Sequence, residues 1–185
     1  MPRLNCPPQC LKWIEPLILA CLLVSVSGCA SYAGRGLQPG VASYEEVVQV
    51  MGVPAMQWQE ADGTRQLSYP RGPEGPHSFM VFIDTDGRLL KIDNVLNDRH
   101  YALIVPGKTT QAEILRLLGP PTPQWTTYFA ARDEFAWEWL ACDATGFMIR
   151  FNVFFNGKEG AVRSTMARPD YRGRDGVVPP CGPMP

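Results

Sequence analysis

Pro106 to Trp125 reads PGKTTQAEILRLLGPPTPQW, and Pro39 to Trp58 reads PGVASYEEVVQVMGVPAMQW. Laid over each other without a gap, at an offset of 67 residues (107 minus 40), the two stretches are identical at seven of twenty positions. The identities are Pro39/Pro106, Gly40/Gly107, Glu46/Glu113, Gly52/Gly119, Pro54/Pro121, Gln57/Gln124 and Trp58/Trp125. Chance gives about one or two over such a length, so the self-similarity reads as a tandem duplication and sets the architecture. Conservative pairs run between the identities: Ser43/Thr110, Val47/Ile114, Val48/Leu115, Val50/Leu117 and Met51/Leu118.

Each copy encodes a short helix with defined ends. Ser43-x-x-Glu46 and Thr110-x-x-Glu113 are capping boxes, in which hydroxyl and carboxylate each satisfy a backbone N–H left over at a helix start. Val47, Val48 and Met51, like Ile114, Leu115 and Leu118, form one apolar stripe per helix. Gly52 and Gly119 suit the left-handed conformation that ends a helix, and Pro54 and Pro121 stop its continuation. Helices this short are unstable alone and need a surface to pack on. Strand patterns supply it. MQWQE and TRQLSY flank Asp62-Gly63, and SFMVFID and RLLKIDNV flank Thr85-Asp86-Gly87; Asp-Gly between apolar runs is a hairpin signal. QWTTYF, EFAWEWLA, FMIRFNVFF and AVRSTM repeat the order, with a longer gap at Asn156 to Gly160. The predicted fold is α+β: two tandem repeats, 39–105 and 106–167, each a short helix followed by an antiparallel β-meander of three to four strands.

Several chemistries are disfavoured. Gly107-Lys108-Thr109 before a helix suggests a phosphate loop, but that pattern needs a glycine where Ala102 stands, and Lys108 is matched by Val41 in the other copy. The DTDG turn lacks the first acidic ligand of a calcium loop, whose place Phe82 occupies. With only His77 and His100 and no Cys-x-x-Cys pair, a zinc site is not expected. No Ser or Cys nucleophile has a His and carboxylate near it in sequence, and Asp84, Asp86 and Asp93 read as turn and edge residues. Seventeen basic against eighteen acidic side chains leave no electrostatic footprint for nucleic acid. The expectation is a chain with no enzymatic activity, cofactor or metal.

The first residues address the chain. Arg3 and Lys12 precede an apolar run from Leu17 to Val26, too short to cross a bilayer with ease, then small residues up to Cys29. Val26-Ser27-Gly28-Cys29 resembles a bacterial lipobox, with 1–28 as signal peptide and Cys29 as the lipidated residue. Ala30 follows where inner-membrane retention signals place Asp, so the resemblance points to the outer membrane. Residues 29–38 then read as a lipidated tether. Cys6, Cys10 and Cys21 leave with the signal, so Cys142 and Cys181 remain in an oxidising compartment. They suggest one disulfide; two unpaired thiols is the competing reading, because spacing alone does not bring two Cα atoms within reach. Residues 168–185, rich in Pro and Gly without apolar periodicity, read as a flexible tail fastened only where Cys181 bonds.

A lipobox, then Gly-x-(Thr/Ser)-x-x-Glu-(Val/Ile)-x-x-(Leu/Met)-(Leu/Met)-Gly-x-Pro, a Trp/Tyr-bearing strand and a Phe-rich hairpin resemble the SmpA/OmlA (BamE-like) family of small outer-membrane lipoproteins. Gly107, Thr109 or Thr110, Glu113, Ile114, Leu117, Leu118, Gly119 and Pro121 carry its motif in one copy. Gly40, Glu46, Val47, Val50, Met51, Gly52 and Pro54 carry it in the other. The family has one such unit where this chain has two. Tandem units of this build are also similar to secreted beta-lactamase inhibitory proteins, which offer a concave sheet to an enzyme. The resemblance implies a periplasm-facing scaffold that binds a protein partner in outer-membrane assembly, the barrel-assembly machinery among the candidates, or in envelope integrity. The alternative it implies is an inhibitor or ligand-binding lipoprotein. The candidate interaction aromatics are Trp58, Trp125, Trp137 and Trp139. Phe135, Trp137 and Trp139 share one side of a strand, opposite Ala136, Glu138 and Leu140. Such a row is more often core than surface, and Trp58 and Trp125 are expected in the core with it.

Overall fold

The computed structural model describes residues 31–182. Residues 1–28, expected as a signal peptide, and Cys29 lie outside the described residues, and the lipidation reading lies there with them. The fold is α+β, in two units that each combine a two-turn helix with a four-stranded antiparallel sheet. In the first, α1 (Tyr44–Met51) precedes β1 (Met56–Gln59), β2 (Arg65–Pro70), β3 (Ser78–Ile83) and β4 (Leu89–Asn94). A single-turn helix, α2 (Asp98–Tyr101), leads to α3 (Gln111–Leu118). The second sheet follows as β5 (Thr127–Phe129), β6 (Glu134–Cys142), β7 (Met148–Asn156) and β8 (Val162–Pro169). Both sheets are meanders, with strands adjacent in chain order.

The matched residues do matched work. Both capping boxes close: Glu46 and Glu113 each accept from the N-cap backbone N–H at 2.7 Å, while the Ser43 and Thr110 hydroxyls accept from the N3 amides. Gly40 N–H donates to Leu89 O and Gly107 N–H to Val162 O, both at 2.7 Å. Leu89 N–H returns a bond to Ala42 O and Val162 N–H to Thr109 O, both at 2.8 Å. Each helix is therefore sewn to the last strand of its own sheet. A bulge also recurs: the β3–β4 register skips Leu90, and the β7–β8 register skips Arg163.

Packing separates the faces. Val47 and Met51 of α1 bury against Leu67, Tyr69, Phe79, Val81, Ile83 and Leu89. Burial pushes the Tyr69 phenol up to about 12, and its hydroxyl donates to Gly52 O at 3.2 Å. Ile114 and Leu118 of α3 bury against Trp137, Trp139, Phe151, Val153 and Phe155. The segment between the sheets, which the sequence assigns to the first repeat, contributes Leu96 and Ile104 to this second core. It also lays Tyr101 flat on Phe151, with ring centroids 3.7 Å apart.

Helix α3 also meets the first sheet, on the face turned away from α1. Gln66 Nε2 donates to Arg116 O at 2.6 Å, and the Arg116 guanidinium pairs with Glu60 and lies 5.6 Å from the Trp58 ring centre. Gly119 is buried in the seam. Its φ of 78° is positive as expected, but ψ is 178° where the left-handed cap would be near 47°, and Gly52 does likewise at 87° and −169°. That region is essentially reserved for glycine. A Cβ on Gly119 would stand 2.6 Å from Ser68 Oγ and 2.8 Å from Ser78 Oγ, whereas one on Gly52 meets nothing within 4 Å.

Four expectations change. Trp58 and Trp125 are half-buried and outside both cores, because each lies on the sheet face opposite its own unit's helix. Trp125 is not in a strand either: Pro123–Trp125 forms a 3-10 turn, and β5 begins two residues later. Ser31 to Gln38 is no free tether, since Ser31 N–H donates to Val50 O at 2.8 Å and Ala33 and Leu37 pack on the first core. The tail is no loose end: Arg168 and Pro169 belong to β8, and Asp170 is buried.

Gly119→Ala and Gly52→Ala separate backbone strain from seam crowding. Both incur the conformational cost, and only the first must also displace two buried hydroxyls, an overpacking cost of about 1–3 kcal/mol. Urea denaturation is expected to rank Gly119→Ala as the less stable by that margin; equal losses would contradict the close approach.

Candidate functional site

Among the described residues, the β5–β8 sheet has one face under α3 and another that no α-helix covers. Register places Thr127, Phe129, Glu134, Ala136, Glu138, Leu140, Arg150, Asn152, Phe154, Ser164, Met166 and Arg168 on the uncovered face, as direct cross-strand partners alternate with the buried row. The Trp137 and Trp139 row faces inward, and Trp139 Nε1 donates to Pro120 O at 3.1 Å, pinning the end of α3. Of the four candidate tryptophans, only Trp125 borders the uncovered face. Trp58 lies on the matching face of the first sheet, where Arg116 covers it.

A charged network crosses that face. Arg150 is 6 % exposed and reaches Glu138 on one side and Asp170 Oδ1, at 3.0 Å, on the other. Arg168 Nη2 donates to Glu138 Oε2 at 2.9 Å. Arg172 grips Asp170 through Nε at 2.8 Å and Nη2 at 2.9 Å. Two guanidiniums lie over the Trp125 ring, Arg150 at 4.1 Å and Arg172 at 4.7 Å from its centre. Such stacking contributes about 0.5–2 kcal/mol, more on the side of the buried Arg150 than on that of the half-exposed Arg172. The fork from Arg172, helped by the bond from Arg150 and opposed by burial, holds the Asp170 carboxyl below its ordinary range.

The network holds down the start of the tail, and the Cys142–Cys181 disulfide holds its end. The two Cα atoms are 6.0 Å apart and 39 residues apart in sequence. On the loop-entropy estimate, a closed loop of that size contributes about 4 kcal/mol. Backbone bonds from Met148 N–H to Pro179 O, 2.9 Å, and from Cys181 N–H to Gly146 O, 2.8 Å, complete the attachment.

Beyond the tail, a depression remains that is lined by Trp125, Thr127, Phe129, Asn152, Phe154 and Arg168, with Glu138 and Ala136 at its floor. Phe129 and Met166 keep 39 % and 45 % of their surface in solvent. Apolar edges around an arginine and an asparagine suit a protein surface more than a reaction. Among the described residues, no three His, Cys, Asp or Glu side chains are placed to hold a metal ion. His100 is tied to Asn97 Oδ1 at 3.0 Å, and burial lowers its basicity despite Asp93 nearby.

The sequence reading missed Arg150, Arg168, Asp170 and Arg172. A signal existed: Glu138, Arg150 and Asn152 are polar residues inside largely apolar strands, and they alternate onto one face. Comparison with family models, curated proteins and solved structures yields no match.

The carboxyl of Asp170 has a depressed native pKa, so its stabilisation is present above the unfolded value near 3.9 and is lost as pH falls through the native one. Asp170→Asn leaves two arginines short of a partner, and denaturation at pH 7 is expected to show a loss of roughly 3 kcal/mol. The gap to the wild type narrows in acid below pH ~4. A loss that is flat with pH would mean that the carboxylate's charge is not what stabilises the tail.

Proposed function

We propose that this chain is an outer-membrane-anchored, periplasm-facing lipoprotein of SmpA/OmlA (BamE-like) type, built as a tandem duplication. It works without catalysis as a protein-interaction module in outer-membrane protein assembly or envelope integrity. The lipobox ending at Cys29 supports the anchor, and the paired Gly, capping-box and Gly-x-Pro elements support the family reading.

One observation carries the interaction role. The first sheet seats a helix on each face, α1 on one and α3 on the other. Among the described residues, the second sheet seats α3 on one face, and its opposite face carries the Trp125 turn and the tail. A surface type that the fold already uses to bind a helix is thus partly open, with Phe129, Phe154 and Met166 around Asn152 and Arg168. Such aromatic and arginine-bearing surfaces hold the dominant residues of protein interfaces. The first sheet's corresponding face is occupied by α3, so it is not free to offer a concave sheet surface, which weighs against the inhibitor-like alternative.

A photo-crosslinking residue in place of Phe154, with one in place of Val53 as a control at an exposed site outside this face, tests the reading in intact cells. Position 154 is expected to trap an envelope protein, barrel-assembly components among the candidates, and position 53 is not. Trapping of a single soluble enzyme at 154 would favour the inhibitor reading instead. Palmitate-analogue labelling is expected to vanish in Cys29→Ala; undiminished label would remove the anchor.

A further inference from the structure

From the packed start of the described residues, and resting on the proposed lipid anchor, we infer that the protein lies directly on the bilayer surface. It would do so through the rim formed by Tyr32, Arg35, Arg71 and Glu74. Three observations converge on that rim.

The first is the absence of slack. Ser31 is two residues after Cys29, a reach of at most about 7 Å. Ser31 is itself fixed: its N–H bonds Val50 O, its carbonyl accepts from Gly34 N–H at 2.9 Å, and its hydroxyl accepts from Arg35 N–H at 3.0 Å. With Ala33 and Leu37 packed on the first core, the described chain is anchored to the fold from its first residues. Acylation of Cys29 therefore places whatever surrounds Ser31 at headgroup depth.

The second is what surrounds Ser31. A cleft lined by Ser31, Tyr32, Arg35, Arg71, Met148 and Cys181 brings the start of the described chain, the β2–β3 loop and the disulfide-bonded tail to one place. The third is the chemistry there. Tyr32 is 42 % exposed, with the Arg71 guanidinium 4.1 Å from its ring centre, and Arg35 is exposed beside it. An amphipathic aromatic ring with arginines suits the headgroup layer, where tyrosine concentrates and basic side chains meet lipid phosphates. Glu74 on the same rim is the one acid among these four.

The orientation is read with fluorophores on cysteines introduced as Glu74→Cys or Lys158→Cys, in the acylated protein with its native disulfide intact. The protein is reconstituted in phosphatidylcholine–phosphatidylserine vesicles carrying a headgroup-level quencher lipid. Glu74 and Met148 line the same cleft and Lys158 lies beyond the other end of β7, a strand about 27 Å long, so the labels sit toward opposite ends of that strand. Quenching at position 74 is expected to exceed that at 158 at least about threefold, given that separation. Equal quenching, or stronger quenching at 158, with the protein still co-floating with vesicles, overturns the orientation and leaves the anchor standing. Failure to co-float overturns the anchor and the orientation together.

Discussion

Helix α3 has to satisfy two sheets at once. Its apolar stripe, Ile114 and Leu118, goes into the second core, while Arg116 and Gly119 meet the first sheet. An eight-residue helix has no stability of its own to spare, so its capping box, its stripe and its C-terminal glycine all act on one small element. The approach at Gly119 leaves no room for a Cβ beside Ser68 and Ser78 without displacement. The seam between the units depends on that missing side chain.

The ends of the chain follow from the same arrangement. Stacked units leave an unmatched face at each terminus, and such arrays need atypical terminal segments to cover it. Here residues 31–37 cover α1, and the tail covers part of the second sheet. Arg116 over Trp58 and Arg172 over Trp125 are the parallel. In each case the segment that follows the sheet lays an arginine on the repeat-equivalent tryptophan and pairs it with a carboxylate, Glu60 or Asp170. The tail stands where a third unit's helix would, and it is smaller than a helix, so Phe129, Phe154 and Met166 stay accessible.

Several features were legible because their causes are local in the chain. Capping boxes span four residues, Asp-Gly turns two, and the inward row of Phe135, Trp137 and Trp139 needs only the strand's alternation. The helix ends were legible in residue type but not in conformation: glycine after the last turn was foreseeable, its extended ψ was not. Trp58 and Trp125 were misplaced as core because apolar character does not say which face of a sheet a unit's helix will cover. The tail looked loose because Asp170 finds Arg150 twenty residues earlier, across a strand pair, and no composition argument sees such a partner.

The sequence by itself determined the two helix-and-meander units, their starts and stops, and the twofold recurrence of the pattern, since each rests on backbone hydrogen bonding and side-chain period within short segments. Only the tertiary structure decided that α3 is held by both sheets, that both ends of the described chain are packed, and that an aromatic and arginine-bearing strip is left uncovered. These depend on contacts between residues 19 to 56 positions apart, among them Ser31–Val50, Arg150–Asp170, Gln66–Arg116 and Glu60–Arg116. Burial and charge pairing across such separations are settled by the shape of the assembled surfaces, which no local pattern records.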